Sequence, residues 1–490
     1  MLAALLAGVV FIALASAPST RRALQSIPTT PTRAPWTRHV RDASASPNMH
    51  VGAYALANSL TFNTTYASYP GKTLEFFEAS FPVRTRFSQV SYRESEPVSF
   101  PADHTAVAIV GYEFGQYATG PDGREEWVPQ EEAYNHHYLG LVVGEEEHGW
   151  EHSLPASIQS LDMANGGESP FTFHGYPHGY AQVVTRPRRV VAQLMQIDTR
   201  PRAGEWTGLP PANQLVECPC TNRVTQLSTR QLLYVHDDNT STTANVSPEL
   251  ELDGSGTITS IQGFKAPHQC PSETCVGGMG CCRDGWLLAG AEHAIPEDFW
   301  EYYVRFRIYF QPFSPDSNAG IQPSHKRLVR LVHTPELKGF NVREVDPALD
   351  PIVRRETQWT VESMLRRERV DAADYEWTGG TPPRTRVVGV RLIYANAHCH
   401  LGGCISSTLI DAGSGAVLCR QVPVYAPSGY IHSIPPCLWG AGVPGLQSPA
   451  ELALNATLRA SWLVNASRPH FGEMHHWRMR AELIFGPHDT

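Results

Sequence analysis

The chain has 490 residues, of which 42% are hydrophobic and 18% are charged, proportions typical of a folded globular protein. This length is too great for one ordinary hydrophobic core, so two or three domains are expected. The formal net charge of -9 argues against a nucleic acid as partner, because no basic face is implied.

The amino terminus is an apolar stretch, residues 1–17, that ends in a small-x-small tripeptide. Its length and ending predict a secretory signal peptide, and therefore a secreted or extracellular protein. Because Arg21 and Arg22 follow it, the alternative is an uncleaved signal anchor at the cell surface or within the secretory pathway. A polar, Pro-rich lead is expected over residues 18–48.

Apolar residues recur with a period of two along most of the chain, which is the pattern of half-buried strands. In one such run Val304, Phe306, Ile308 and Phe310 share one face, and Arg305, Arg307 and Tyr309 share the other. The sequence therefore predicts an all-β protein with two jelly-roll-like β-sandwich domains. Residues 350–370 are highly charged and are predicted to form either a surface helix or a strand with a polar face.

Composition places a first β-sandwich domain over residues 49–211, a Cys-rich connecting segment over 212–285 and a second β-sandwich domain over 286–490. The ten cysteines fall into two even groups: Cys218, Cys220, Cys270, Cys275, Cys281 and Cys282, then Cys399, Cys404, Cys419 and Cys437. Even groups favour disulfide bonds closed within each group, whereas a zinc site in the central six is the rival interpretation.

Five Asn-x-Ser/Thr sequons also agree with a secreted glycoprotein: Asn63, Asn239, Asn245, Asn455 and Asn465.

Two adjacent histidines, His136 and His137, stand in the first predicted domain. Adjacent residues on a regular strand point to opposite faces, so both can bind one metal ion only if the strand has a bulge or turn there. The alternative is that one of them binds and the other packs or forms a hydrogen bond.

A second histidine pair, His398 and His400, ends an apolar run in the second predicted domain. Side chains two residues apart on a strand project from the same face, so two imidazoles are presented to one ion. Met474 adds a thioether, and histidine clusters with a thioether suggest copper. His470 or His476, which share the predicted face of Met474, are alternative ligands.

Several segments resemble the plant-type stress-up-regulated nodulin family, in the order of that family and from about residue 80 to the end. These segments are FPVRTRFSQV, EEAYNHHYL, QLMQIDTRP, VECPCTNRVTQ, GGMGCCRDG, AHCHLGGCISSTLIDAGSGAVLCRQVPVY and HFGEMHHW. The activity of that family is poorly defined, so the resemblance alone implies no reaction.

The histidine and methionine pattern also resembles the copper type II, ascorbate-dependent monooxygenases, which include peptidylglycine α-hydroxylating monooxygenase. That resemblance implies a first copper at His136 and His137, which supplies an electron. It implies a second copper at His398, His400 and Met474, which binds O2 and hydroxylates a C–H bond.

The chain departs from this pattern at the third ligand of the first site, where nodulin-like relatives often have His and this chain has Met195. Either the thioether of Met195 replaces the imidazole, or His174 or His178 reaches in, or the first site is incomplete.

Two functions follow from these patterns. The first is a secreted copper oxidoreductase that uses O2 and a reductant such as ascorbate to hydroxylate a small-molecule or peptide substrate. The second is a non-catalytic, disulfide-stabilised glycoprotein that binds metal structurally or acts at the cell surface. No G-x-S-x-G, P-loop or H-E-x-x-H motif is present in the sequence.

Overall fold

A computed structural model describes residues 32–46, 48–50, 54–66, 72–87, 90–101, 104–144, 158–162, 170–200, 231–235, 241–245, 250–252, 258–261, 264–265, 298–313, 325–333, 340–342, 352–368, 370, 385–398, 403–465, 470–473 and 475–487. The predicted signal segment, the central six cysteines, His400 and Met474 lie outside these residues.

The strands of the amino-terminal part are β1 (Trp36–Val40), β2 (Glu75–Thr85), β3 (Val90–Glu94), β4 (Val98–Ser99), β5 (Ala106–Thr119), β6 (Glu125–Trp127), β7 (Ala133–Gly144), β8 (Ile158–Leu161), β9 (His174–Gly175), β10 (Tyr180–Thr185) and β11 (Pro187–Asp198). Those of the middle part are β12 (Gln231–Val235), β13 (Ser241–Asn245), β14 (Leu250–Leu252), β15 (Ile258–Ile261) and β16 (Phe264–Lys265).

The carboxy-terminal part contains β17 (Trp300–Pro312), β18 (Lys326–Arg327), β19 (Val329–His333), β20 (Phe340–Val342), β21 (Ile352–Thr360), α1 (Val361–Arg367), β22 (Thr385–His398), β23 (Cys404–Asp411), β24 (Val417–Gln421), β25 (Val424–Tyr425), β26 (Ile431–Ser433), β27 (Cys437–Leu438), β28 (Glu451–Ala453), β29 (Thr457–Asn465), β30 (His470–Glu473) and β31 (His476–Pro487). The all-β prediction is confirmed.

Two sheets form the first sandwich. Sheet A has the order β1-β2-β17-β5-β10-β18, with β6 and β9 also paired to β5, and sheet B has the order β3-β11-β7-β8, with β4 paired to β11. Alternate residues of each strand meet in the core between the sheets, for example Phe306 of β17, Tyr138 of β7 and Leu194 of β11. This arrangement buries the period-two apolar faces that the sequence predicts.

Strand β17 lies in the centre of sheet A, between β2 and β5, although its sequence position is in the predicted second domain. Its predicted apolar face is fully buried in the core. The opposite face is covered as well, because Arg305 and Arg307 form ion pairs with Glu125 and Glu78. The expectation of a half-buried strand is therefore wrong for β17, since alternation of residue type does not reveal what covers the polar face.

The second sandwich is built from sheet C, with the order β19-β31-β22-β27 and β28 paired to β22, and sheet D, with the order β21-β29-β23-β24. Trp477 and Met479 of sheet C pack with Trp462 of sheet D in the core between them. A disulfide bond joins Cys419 to Cys437, and Cys404 is also disulfide-bonded. The expected oxidation of the carboxy-terminal cysteine group is confirmed at these residues.

The charged segment 350–370 contains both of the predicted structures in succession. Strand β21 carries a largely exposed polar face, and it is followed at once by the seven-residue helix α1. The hydroxyl of Thr360 caps this helix by accepting a hydrogen bond from the backbone N–H of Ser363 at 3.2 Å. Within the described residues no helix is long and apolar enough to cross a membrane.

One face of sheet C packs against the first sandwich. The bulge between Leu392 and Tyr394 in β22 places Tyr394, Asn396 and His398 on this face, while Ala395 and Ala397 face the core of the second sandwich. Across the contact, the hydroxyl of Tyr394 donates a hydrogen bond of 3.0 Å to the carbonyl oxygen of Phe173. This shared face positions the histidines described below.

Candidate metal centre

The first histidine pair lies at a bulge in β7. Opposite β11, His137 pairs with Met195 and Asn135 pairs with Gln196, so His136 is the additional residue in the β7 strand. A bulge of this kind turns two successive side chains toward the same face. The rings of His136 and His137 accordingly lie side by side, with their centroids 4.6 Å apart.

The bulge directs the pair to the outer face of sheet B. Residues Tyr138 and Val142 of β7 enter the core of the first sandwich, whereas Leu139 and Leu141 form a separate cluster on the other face. His137 shares the side of Leu139 and Leu141 because it is separated from them by an even number of residues. The second sandwich covers this outer face at His137.

From the second sandwich, His398 and His476 stand directly opposite each other on β22 and β31. Their rings are stacked with a centroid separation of 4.5 Å and an interplanar angle of 13°. His475 turns the other way and packs against Trp462 at a centroid distance of 5.3 Å. Of the histidines beside Met474, His476 is therefore the one that the strand register brings to His398.

The two histidine pairs meet across the interface between the sandwiches. The ring centroids of His137 and His398 are 4.9 Å apart, so His136, His137, His398 and His476 form one continuous row, called here the histidine row. All four side chains are between 0% and 2% exposed. Four imidazoles from two separate sandwiches are thus gathered in one buried region.

The described residues include only part of the predicted donor set. His400 and Met474 lie outside them, and no three His, Cys, Asp or Glu side chains of the described part are grouped so that they could hold one metal ion. Imidazole and thioether together are a donor set that suits copper.

The three residues predicted as possible third ligands of the first site lie in different places. Met195 is the direct cross-strand neighbour of His137. His174 stacks on Tyr112 with a centroid separation of 4.7 Å, and burial lowers the pKa of His174 to about 3. His178 lines a surface pocket together with His325. The strand register thus brings Met195, rather than His174, next to the bulge.

Side-chain amides support the strand that carries His398. Asn396, two residues before it, accepts a hydrogen bond of 3.1 Å from Nε2 of Gln421. Oε1 of Gln421 in turn accepts a hydrogen bond of 2.6 Å from the backbone N–H of Ala397. Gln421 comes from sheet D, so the two sheets of the second sandwich jointly fix the end of β22 next to the histidine row.

A buried charge cluster lies farther along the same interface and was not predicted. Asp162 follows β8, and its carboxylate accepts hydrogen bonds from three guanidinium groups: Arg330 at 2.7 Å, Arg478 at 3.0 Å and Arg480 at 2.9 Å. Arg330 also pairs with Glu368. We call these five residues the arginine cluster. It joins the first sandwich to sheet C, and its aspartate and three arginines are at most 7% exposed.

The pKa values in the arginine cluster reflect burial and mutual attraction. Burial alone would raise the pKa of Asp162, but Arg330, Arg478 and Arg480 outweigh it and hold this pKa well below the ordinary value. Burial lowers the pKa of Arg478 to about 10, against the attraction of Asp162. Asp162 and the three guanidinium groups are therefore charged at neutral pH.

Comparison with known proteins identifies no family. No protein-family model matches the chain, and no curated protein matches it. One similar solved structure is that of the infectious bursal disease virus Gx strain, at 8% identity over 86% of this chain and 74% of that chain, with a TM-score of 0.16. Another is the Sputnik virophage, at 10% identity over 92% of this chain and 93% of that chain, also with a TM-score of 0.16. These TM-scores support no inference about this chain.

Proposed function

We propose that this chain is a secreted copper-binding protein that acts as an O2- and reductant-dependent monooxygenase-like oxidoreductase. The observation that carries the proposal is the histidine row, in which two imidazoles from each sandwich meet in a buried interface. The resemblance of the histidine and methionine pattern to the copper type II monooxygenases supports the same proposal, whereas the resemblance of other segments to the nodulin family fits both candidate functions.

In this proposal His136 and His137 hold one copper, and His398, His400 and Met474 hold a second. His476 stacks on His398, so it is a further donor or an orienting neighbour of the second ion. Bound copper would supply one-electron transfer and a site for O2, with ascorbate as the possible reductant. The protein contributes the bulge that aligns one pair, the register that aligns the other, and an interface that buries all four rings.

A second candidate is a non-catalytic glycoprotein that binds metal to hold its two sandwiches together. The almost complete burial of the histidine row favours it, because an organic substrate needs a path to the reacting atoms. The sequons at Asn63 and Asn455 are on exposed residues, as carbohydrate attachment requires in either candidate. Secretion through a cleaved signal peptide, or retention by an uncleaved anchor, belongs to both candidates.

Oxygen consumption separates the two functions. Copper-loaded and desalted protein is expected to consume O2 when ascorbate is added, at a rate above that of the same amount of free copper. His398→Ala is expected to reduce the rate to that background, whereas His333→Ala, which alters a histidine that stacks on Trp359 and is not part of the histidine row, should preserve it. A wild-type protein that binds copper but consumes no O2 would support the non-catalytic candidate.

A further inference from the structure

Met195 occupies a defined place beside the first histidine pair. In the ladder between β7 and β11 it stands directly opposite His137, immediately before the register shift that makes His136 the additional residue. Side chains of directly opposed residues in an antiparallel pair lie on the same side of the sheet, with Cβ atoms about 4.5–5.5 Å apart. The thioether is therefore on the side of the sheet to which the bulge turns the imidazoles.

The alternation along β11 gives the same orientation. Val190, Ala192 and Leu194 are members of the core of the first sandwich, and Met195 is not among them. As the residue after Leu194, Met195 points to the outer face of sheet B, and its side chain is only 2% exposed. A flexible, polarizable thioether is thus buried on the face that carries His137.

We propose that the sulfur of Met195 is the third donor of a copper site formed with His136 and His137, which makes this site selective for Cu(I). This inference rests on the proposed copper function. It adds a soft thioether ligand to a first site that otherwise has only imidazole ligands. Thioether ligands favour Cu(I), whereas imidazole serves both oxidation states. His174 and His178 are engaged elsewhere, with Tyr112 and with the pocket that also contains His325.

The test uses Cu(I) as the probe and X-ray absorption to detect sulfur bound to it. Because Met474 is a second predicted thioether ligand, the starting protein is the full chain with Met474→Leu. Copper–sulfur scattering is expected in this variant and should disappear when Met195→Leu is added. Met479→Leu serves as the matched control, since Met479 is a fully buried strand methionine in the core of the second sandwich.

A second measurement distinguishes the loss of a copper ligand from the loss of folding. In competition with a Cu(I) chelator, Met195→Leu is expected to weaken Cu(I) binding at the first site by at least about tenfold. Met195→His is expected to restore copper binding and to increase the affinity for Cu(II). If copper binds but sulfur scattering is absent before Met195 is changed, or persists afterwards, the assignment of Met195 is overturned and the copper function stands. If no copper binds at all, both are overturned.

Discussion

Replacement of Asp162 by Asn is expected to lower the free energy of unfolding by about 3–5 kcal/mol, the usual cost of removing one partner from a buried ion cluster. Asp162 is the carboxylate shared by Arg330, Arg478 and Arg480, all of which are at most 7% exposed. Without it, three guanidinium groups would remain buried with only Glu368 to compensate them.

Chemical denaturation of the purified full chain measures this effect. Asp122→Asn is the matched control, because it makes the same chemical change in an ion pair with Arg124 whose side chains are 55% and 86% exposed. The control is expected to change the unfolding free energy by less than about 1 kcal/mol. Equal and small effects of the two substitutions would contradict the assigned role of the arginine cluster.

The contribution of Asp162 to folding stability is expected to depend on pH. Because the folded-state pKa of Asp162 is held well below its unfolded value, the unfolded chain takes up this proton first as the pH falls. The stabilisation is therefore complete above the unfolded pKa of about 3.9 and is lost as the pH falls toward the folded-state pKa. Asp162→Asn removes this titrating group. The difference in unfolding free energy between the wild type and the variant should therefore become smaller at acidic pH.

Copper is expected to stabilise the folded chain by about 4 kcal/mol when its free concentration is about 1,000 times the dissociation constant. The reason is that the histidine row exists only in the folded state, where both sandwiches contribute to it. His137→Ala should reduce this stabilisation, because it removes the ring that connects the first pair to His398.

Calorimetry with and without copper gives the measurement, and His333→Ala is again the control. In the wild type and the control, copper should raise the unfolding temperature of both sandwiches together, since each supplies two of the four imidazoles. A copper-dependent shift confined to one sandwich, with the other unchanged, would refute the shared location of the two pairs.

The architecture followed from local sequence patterns to a large extent. Period-two alternation identified the strand that contains Val304 and Phe306, and the all-β class with it. The same alternation could not show that the Arg305 and Arg307 face is also covered. Nor could composition show that this strand lies between β2 and β5 in sheet A, because the sequence of a strand does not indicate which distant strands it pairs with.

The sequence also predicted the candidate metal centre only in part. The sequence singled out His136, His137 and His398. It indicated that the first two could bind one ion only if the strand had a bulge or turn there, and a bulge is present. It left His476 as one candidate ligand among several, because only the register of β31 against β22 shows that this residue faces His398. The arginine cluster was not predicted, because Arg478 and Arg480 alternate with apolar residues as the solvent-exposed face of a strand does. Only the packing of the first sandwich against sheet C buries these arginines.

The most direct test of the central claim is the copper content of the full chain after reconstitution and desalting, determined by elemental analysis for wild type, His137→Ala and His398→Ala. We expect about two copper ions per wild-type chain and the loss of at least one in each variant. A wild-type protein that retains no copper, or variants that retain all of it, would contradict a copper centre at the histidine row.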